Sequence, residues 1–234
     1  MAELLSVLRT EKKYPVSPVV AGQLAARLSY ILKLDPNCLE GKPYLIKSVY
    51  FDSLDNRDFH EKDSGLEMRK KIRLRTYGND SPIKLEWKQK QGAKQKKLSL
   101  LIGREDAEKI LQGEYRCLLG YEGDLPKQFY AAMTEEVYRP RCLVQYQRLA
   151  FMHPTNDIRV TLDSNISAQE GSMNLWDDHN PVYPVSPAGK TILEVKYNHF
   201  LLGYIKTALV EYELTETANS KYTAGRYYGL GGHI

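Results

Sequence analysis

The sequence predicts an α+β protein: one antiparallel sheet that curls into a closed β-barrel, with helices packed around its outside. Two observations carry this. Short segments of alternating residues recur between turn-forming residues, as in antiparallel hairpins. Along those segments Lys and Arg gather on one face while apolar residues take the other, so closure would turn the charged face inward and leave the apolar face for helices to cover. The 234 residues, 42% of them hydrophobic, suffice for a sizeable core and are read as a single domain over 1–234.

Residues 4–14 alternate as a strand. Ser17 followed by Pro18 then marks a helix start, and Val20, Leu24, Leu28 and Ile31 continue at helical spacing to about Lys33. Strands are expected over 44–52, 65–77, 83–89 and 94–101, separated by turn residues such as Asn79-Asp80-Ser81-Pro82 and Gln91-Gly92. Helices are expected over 104–112 and 126–138, strands over 140–152, 157–163 and 191–197, and two closing helices near 203–213 and 220–228. Residues 167–190, with Pro181, Pro184 and Pro187, have no period and form either a lid or an insertion. The Gly-rich tail 229–234 is expected to fray.

Residues two apart in a strand share a face. Arg69, Lys71, Arg73 and Arg75 therefore point one way and Met68, Lys70, Ile72 and Leu74 the other. The same holds for Lys84, Glu86 and Lys88, for Arg9, Glu11 and Lys13, for Tyr146 and Arg148, for Arg159, Thr161 and Asp163, and for Glu194 and Lys196. These faces carry eleven basic side chains against four acidic ones, an excess larger than the +4 of the whole chain. A single such strand is read as the solvated face of an ordinary sheet. Over six strands, a face so rich in like charge repels itself unless an anion fills the space before it. Periodicity alone does not establish closure.

The net charge by itself is too small to imply a polyanionic partner. Cys38, Cys117 and Cys142 are odd in number and widely spaced, which argues against a disulfide framework or zinc site and fits a reducing cytoplasm. Neither a signal peptide nor a membrane span is expected. Gly189-Lys190-Thr191 is similar to the end of a P-loop, but the first glycine of that motif would fall at Pro184, and the segment leads into a strand.

In order along the chain, Arg-Thr-Glu-Lys-Lys-Tyr (9–14), Ser-Val-Tyr-Phe-Asp (48–52), Arg-Lys-Lys-Ile-Arg-Leu-Arg-Thr-Tyr (69–77), Lys-Leu-Glu-Trp-Lys (84–88), Tyr-Gln-Arg-Leu-Ala-Phe (146–151), Ile-Arg-Val-Thr-Leu-Asp (158–163), Leu-Glu-Val-Lys (193–196) and Ser-Lys-Tyr (220–222) resemble the polyphosphate polymerase (VTC) domain of the CYTH, or triphosphate tunnel metalloenzyme, superfamily. The resemblance implies an eight-stranded tunnel whose basic side chains hold a linear phosphate chain while Mn²⁺ or Mg²⁺ bridges substrate phosphates. It implies phosphate ligands at Lys13, Arg73, Arg75, Lys88, Arg148, Arg159, Lys196, Ser220 and Lys221, a wall hydroxyl at Tyr146 and a metal carboxylate at Glu194. Arg69 and Lys71 on the same basic face join the substrate-binding set, and Glu11 and Glu86 join Glu194 as metal carboxylates. The chain departs from the wider superfamily's ExExK by placing Arg9 at the first Glu, as the polymerase branch does. It also has Thr217-Ala218-Asn219 where relatives often carry an aromatic residue before Ser-Lys-Tyr.

Phosphoryl transfer rests on positioning and charge neutralisation, and an anionic phosphate acceptor needs no general base. The expected function is transfer of the terminal phosphate of ATP to polyphosphate or pyrophosphate. The alternatives are a metal-dependent triphosphate hydrolase of the same superfamily and a non-catalytic module that binds polyphosphate or inositol phosphates. Nucleic acid is not the expected partner, because Tyr77 is the only aromatic sharing a face with Arg69 to Arg75. A membrane-bound partner and any oligomeric state are left open. Trp87 and Tyr50 are expected to pack in the core or under helices.

Overall fold

The computed structural model describes residues 9–78, 82–92, 94–186, 189–218 and 220–229. The expected strand start at 4–8 and the tail at 230–234 lie outside them. The elements are β1 (Arg9–Val16), α1 (Pro18–Ile31), β2 (Lys33–Leu34), β3 (Tyr44–Asp52), α2 (Arg57–Asp63), β4 (Met68–Tyr77), β5 (Ile83–Gln91), β6 (Lys94–Ile102), α3 (Arg104–Leu111) and α4 (Asp124–Glu135), followed by β7 (Arg139–His153), β8 (Ile158–Gln169), β9 (Tyr183–Pro184), β10 (Thr191–Asn198), α5 (Gly203–Val210) and α6 (Lys221–Gly229).

Eight strands form one antiparallel path in the order β1-β10-β8-β7-β3-β4-β5-β6, with β2 added to β7 and β9 to β8. Among the described residues no ladder joins β6 back to β1. The expected closed barrel is therefore corrected to a curled half-barrel, an open trough. Its two end strands still face each other, since Glu11 of β1 and Gln95 of β6 line the same cavity.

The alternation in the sequence decides what lies on each side of the sheet. Outside, Ile72, Leu74 and Leu85 pack with Ile110, Phe129 and Met133 of α3 and α4. A second outer core joins Val160, Leu193 and Val195 to Leu24 and Leu28 of α1 and Ile205 of α5. The Ser17 hydroxyl caps α1 by accepting from the Val20 amide at 3.2 Å, with Pro18 opening the helix, as the sequence indicates.

A third core lies in the trough itself. Ile46, Tyr50, Cys142, Val144, Ile166 and Ala168 pack around Tyr222 of α6. Not every helix is peripheral, then: α6 fills one end of the concavity. It sits so close to the sheet that a Cβ on Gly225 would come within 2.6 Å of Cys142 Sγ. A side-chain-free position is what permits this approach.

The long connection after β8 is an insertion whose first part, residues 173–182, is pinned to the outer surface, while Tyr183 and Val185 join the core inside the trough. The buried Lys47 ammonium donates to the Asp177 carbonyl at 3.1 Å and to Asp178 Oδ1 at 2.7 Å, Gln169 Nε2 donates to Asn180 Oδ1, and Arg104 lies 4.9 Å over the Trp176 ring. Trp87 faces outward against Phe129, as expected. No described helix is long and apolar enough to cross a membrane.

Candidate functional site

Straight alternation on β4 turns Arg73 and Arg75 into the trough, where they are only 6% and 5% exposed. That excludes a solvated surface for them. Arg73 grips Glu86 on the neighbouring β5 through Nε at 2.7 Å and Nη2 at 2.5 Å, and its Nη1 donates to the Tyr50 hydroxyl at 3.1 Å. Arg75 donates to Ser48 Oγ at 2.9 Å and to the Tyr146 hydroxyl at 3.1 Å. Glu86 also pairs with Lys97 of β6. Burial alone would raise the Glu86 carboxyl, but Arg73, Arg75 and Lys97 outweigh it and hold the group well below the usual carboxylate range.

The other wall is built from β1, β7, β8, β10 and α6. Arg148 forks onto Asp163 with contacts of 2.6 and 2.7 Å and lies 3.7 Å from Glu194. Lys221, at the first position of α6, reaches the same Asp163 at 2.6 Å and sits 4.8 Å over the Tyr146 ring. Lys196 pairs with Glu194 and lies 3.8 Å from Glu11, which Lys13 contacts at 3.1 Å. Nearer the rim, Arg159 pairs with Asp35 at 2.6 Å and donates to the Tyr44 hydroxyl at 3.1 Å. Burial would raise Asp163, yet Lys221 and Arg148 pull it down to about 2.

Two cavities follow the trough. The first, about 640 Å³, is lined by Arg73, Arg75, Lys84, Lys88, Arg148, Arg159 and Lys196 and opens past Tyr77, Asn37 and Asn198. The second, about 350 Å³, opens beside α6 past Lys13, Arg69, Lys71, Lys90 and Ser220. Glu11, Lys88, Gln89 and Gln95 border both, so the two meet at Lys88. Burial pushes the Lys88 ammonium well down, and the Arg73, Lys196 and Lys71 charges push the same way. Burial likewise lowers Lys71, to about 8. The Tyr50 hydroxyl is raised by burial but drawn down more strongly by Arg73, Arg75 and Lys71, to about 8. Burial is the larger cause at both lysines, with neighbouring cations adding to it, whereas at Tyr50 the cations outweigh burial.

The structure thus brings together, on one concave surface, Lys13, Arg69, Lys71, Arg73, Arg75, Lys88, Tyr146, Arg148, Arg159, Lys196, Ser220 and Lys221. Two qualifications concern placement. Arg69 lies at the rim and donates to the Leu66 carbonyl at 2.7 Å, and Lys221 is engaged with Asp163. Asp163 is the residue the sequence reading passed over. The Ile158 to Asp163 alternation put it on the charged face, but only the structure shows that it anchors both Arg148 and Lys221. Tyr50 packs in a core as expected, though that core is the one inside the trough, and its hydroxyl touches Arg73.

Of the three carboxylates expected to hold metal, Glu11 and Glu194 converge on the Lys196 ammonium. Two carboxylates thus share a space that already accommodates a cation. Such a donor pair fits Mg²⁺ or Mn²⁺, hard ions that take one or two carboxylates and complete their shell with phosphate oxygens and water. An ion held there would neutralise charge on substrate phosphates. Glu86 stands apart from this pair, committed to Arg73 and Lys97. Among the described residues no group of three or more His, Cys, Asp and Glu side chains is placed to hold a metal.

The VTC domain family model matches residues 8–228, nearly the whole chain. The chain belongs to the VTC domain family. Its fold is similar to that of a putative adenylyl cyclase from Hippeastrum, described as having a dominant triphosphatase activity (TM-score 0.56, 12% identity, covering 97% of this chain and 96% of that one). It is also similar to putative adenylate cyclases from Bacillus halodurans (TM-score 0.52, 12% identity, 92% and 94% covered) and Vibrio parahaemolyticus (TM-score 0.51, 10% identity, 94% and 98% covered). At these identities the likeness is one of fold. No curated protein sequence matches the chain.

Proposed function

We propose that this VTC domain is an ATP-dependent polyphosphate polymerase that transfers the terminal phosphate of ATP to a polyphosphate or pyrophosphate acceptor. The observation that carries the reading is the state of four carboxylates that face the basic side chains of the trough. Glu11, Glu86, Asp163 and Glu194 are each ion-paired with Lys or Arg. A hydrolase must activate water, whereas a phosphate acceptor is already anionic and needs only to be positioned against the donor. In this reading Arg73, Arg75, Lys88, Arg148 and Lys196 surround the transferred group, with the bidentate forks of arginine matching phosphate oxygens. Lys13, Arg69, Lys71, Tyr146, Arg159, Ser220 and Lys221 hold the flanking phosphates. A polyanion in the trough cancels the repulsion between Lys88 and Lys196.

The second reading is a triphosphatase, favoured by the activity ascribed to the Hippeastrum protein of similar fold. One assay separates the two. Purified protein is given ATP, Mn²⁺ and pyrophosphate, and ADP and chain length are followed on a gel. Lengthening chains with matched ADP are expected. Free phosphate without chains would replace the polymerase by the hydrolase, and metal-independent binding without turnover would leave a binding module.

A further inference from the structure

On the trough-facing side of β8 the Thr161 hydroxyl has no partner among the described residues, and the carboxylate opposite it, Glu194, has a partner that a phosphate substrate would take away. From this pairing we infer that Thr161 is a positioning residue for Glu194: when a phosphate chain engages Lys196, the Thr161 hydroxyl donates to the Glu194 carboxylate and keeps it in place as a metal ligand. The inference rests on the proposed phosphate-binding reading for the departure of Lys196 and adds what holds Glu194 afterwards.

The placement follows from the strand. Arg159 lines the larger cavity and Asp163 holds Arg148 and Lys221, whereas Ile158, Val160 and Leu162 pack in the outer core. Thr161 lies between Arg159 and Asp163 and shares their face. It is only 1% exposed, and its Oγ1 is buried without a hydrogen bond. A buried hydroxyl left unpaired is costly, so a state of the protein in which it finds a partner is favoured over one in which it does not. Its directly opposite neighbours are Ala150 on β7, which has no polar side-chain atom, and Glu194 on β10. Residues opposed in this way on one face bring their Cβ atoms to about 5 Å, so a change of rotamer at Glu194 suffices to bring its carboxylate to the hydroxyl.

Glu194 is held from the other side. Its Oε1 pairs with Lys196, while Arg148 Nη2 lies 3.7 Å from Oε2, beyond hydrogen-bond range, because the Arg148 fork is spent on Asp163. Burial opposes the charge on Glu194, and Lys196 is the foremost of the cations that hold its carboxyl well below the usual range. The same ammonium lines the larger cavity, where the proposed function gives it to the transferred phosphate. A phosphate that draws Lys196 to itself takes from Glu194 its close ion pair. The Thr161 hydroxyl is the donor left across the strand pair to replace it, and it acquires in that state the acceptor it lacks in the empty trough.

The test compares wild type, Thr161→Val, Thr161→Ser, Glu194→Ala and the double variant Thr161→Val/Glu194→Ala. Stability of the ligand-free protein is read by chemical denaturation, tripolyphosphate affinity by calorimetry in the presence of Mn²⁺, and the bound ion by its electron paramagnetic resonance. Thr161→Val is expected to leave the ligand-free protein at least as stable as wild type, since the lost hydroxyl bonds nothing there. It is expected to weaken tripolyphosphate with Mn²⁺ roughly tenfold, the loss of one hydrogen bond to a charged group, with the free Mn²⁺ signal rising to match; Thr161→Ser restores binding. In the Glu194→Ala background, adding Thr161→Val should change the affinity by less than about twofold, because the acceptor is gone. Thr161→Val that binds as wild type does would overturn the inference. So would a loss of binding matched by an equal loss of ligand-free stability, which would make the hydroxyl a structural one, or an undiminished effect in the Glu194→Ala background, which would give it another partner. Wild type that fails to bind tripolyphosphate would overturn the phosphate-binding reading and this inference with it.

Discussion

The two walls of the trough solve the same problem differently. On the β7, β8, β10 and α6 side every cation named has its anion: Arg148 and Lys221 share Asp163, Lys196 has Glu194, and Arg159 has Asp35. On the β4, β5 and β6 side, among the described residues, Lys71, Arg73, Arg75, Lys84, Lys88 and Lys97 have one ion-paired carboxylate on their own strands, Glu86. Buried charge is tolerated when it is paired and hydrogen-bonded, and it is costly otherwise. The balanced wall is therefore held together by its own ion pairs without ligand. In the proposed reading the unbalanced wall is a surface whose missing anions a phosphate chain supplies.

The comparison is broken most severely at Asp163. Asp163→Asn leaves Arg148 and Lys221 buried without their countercharge, and a cost of about 3–5 kcal/mol is expected, read as a loss of stability in chemical denaturation. Saturating tripolyphosphate should restore part of it by supplying the anion. A variant as stable as wild type would show that this wall is not held by its ion pairs.

A smaller effect is expected from pH, with opposite signs for stability and binding. Lys71 and Tyr50 both have folded-state values drawn down to about 8, below their usual 10.5 and 10.0. Between pH 8 and about 10 the unfolded chain holds protons that the folded chain has released, so the stability of the ligand-free protein should rise with pH through this window. Tripolyphosphate favours charged Lys71 and neutral Tyr50, so its affinity should fall as pH passes 8, by roughly tenfold per group for each pH unit above it at most. Lys71→Met should flatten both trends, measured by denaturation and calorimetry at pH 7 and pH 9. Parallel trends in stability and affinity would mean that the unbalanced wall is not the one that meets the anion.

Much of the trough was legible in the sequence because the strand period is two. Lys71 to Arg75, Lys84 to Lys88 and Glu194 to Lys196 alternate cleanly with apolar residues, and the structure lays each on the face so indicated. What escaped depended on contacts distant in the chain. The helix α2 was missed because its amide caps come from the preceding strand: Asp52 accepts from the Asp58 and Phe59 amides, both at 2.9 Å, while Asn56 at the usual cap position has φ +57° and makes no cap bond. The seat of α6 inside the trough was hidden because Tyr222 and Gly225 read as ordinary helix residues until Asp52 and Cys142 stand opposite them. Closure was overstated for a physical reason. Alternation specifies which face is charged, but the edge pairing of β1 with β6 leaves no mark on it.

The account rests most directly on the unbalanced wall as the phosphate-binding surface, and calorimetric titration of inorganic tripolyphosphate into wild type and Arg73→Ala/Arg75→Ala tests that claim. The two arginines offer charge-assisted hydrogen bonds of about 1.5–3 kcal/mol each, so the double variant should bind at least roughly 100-fold more weakly while retaining the ion pairs of the opposite wall. Tripolyphosphate bound equally by both proteins would contradict the account.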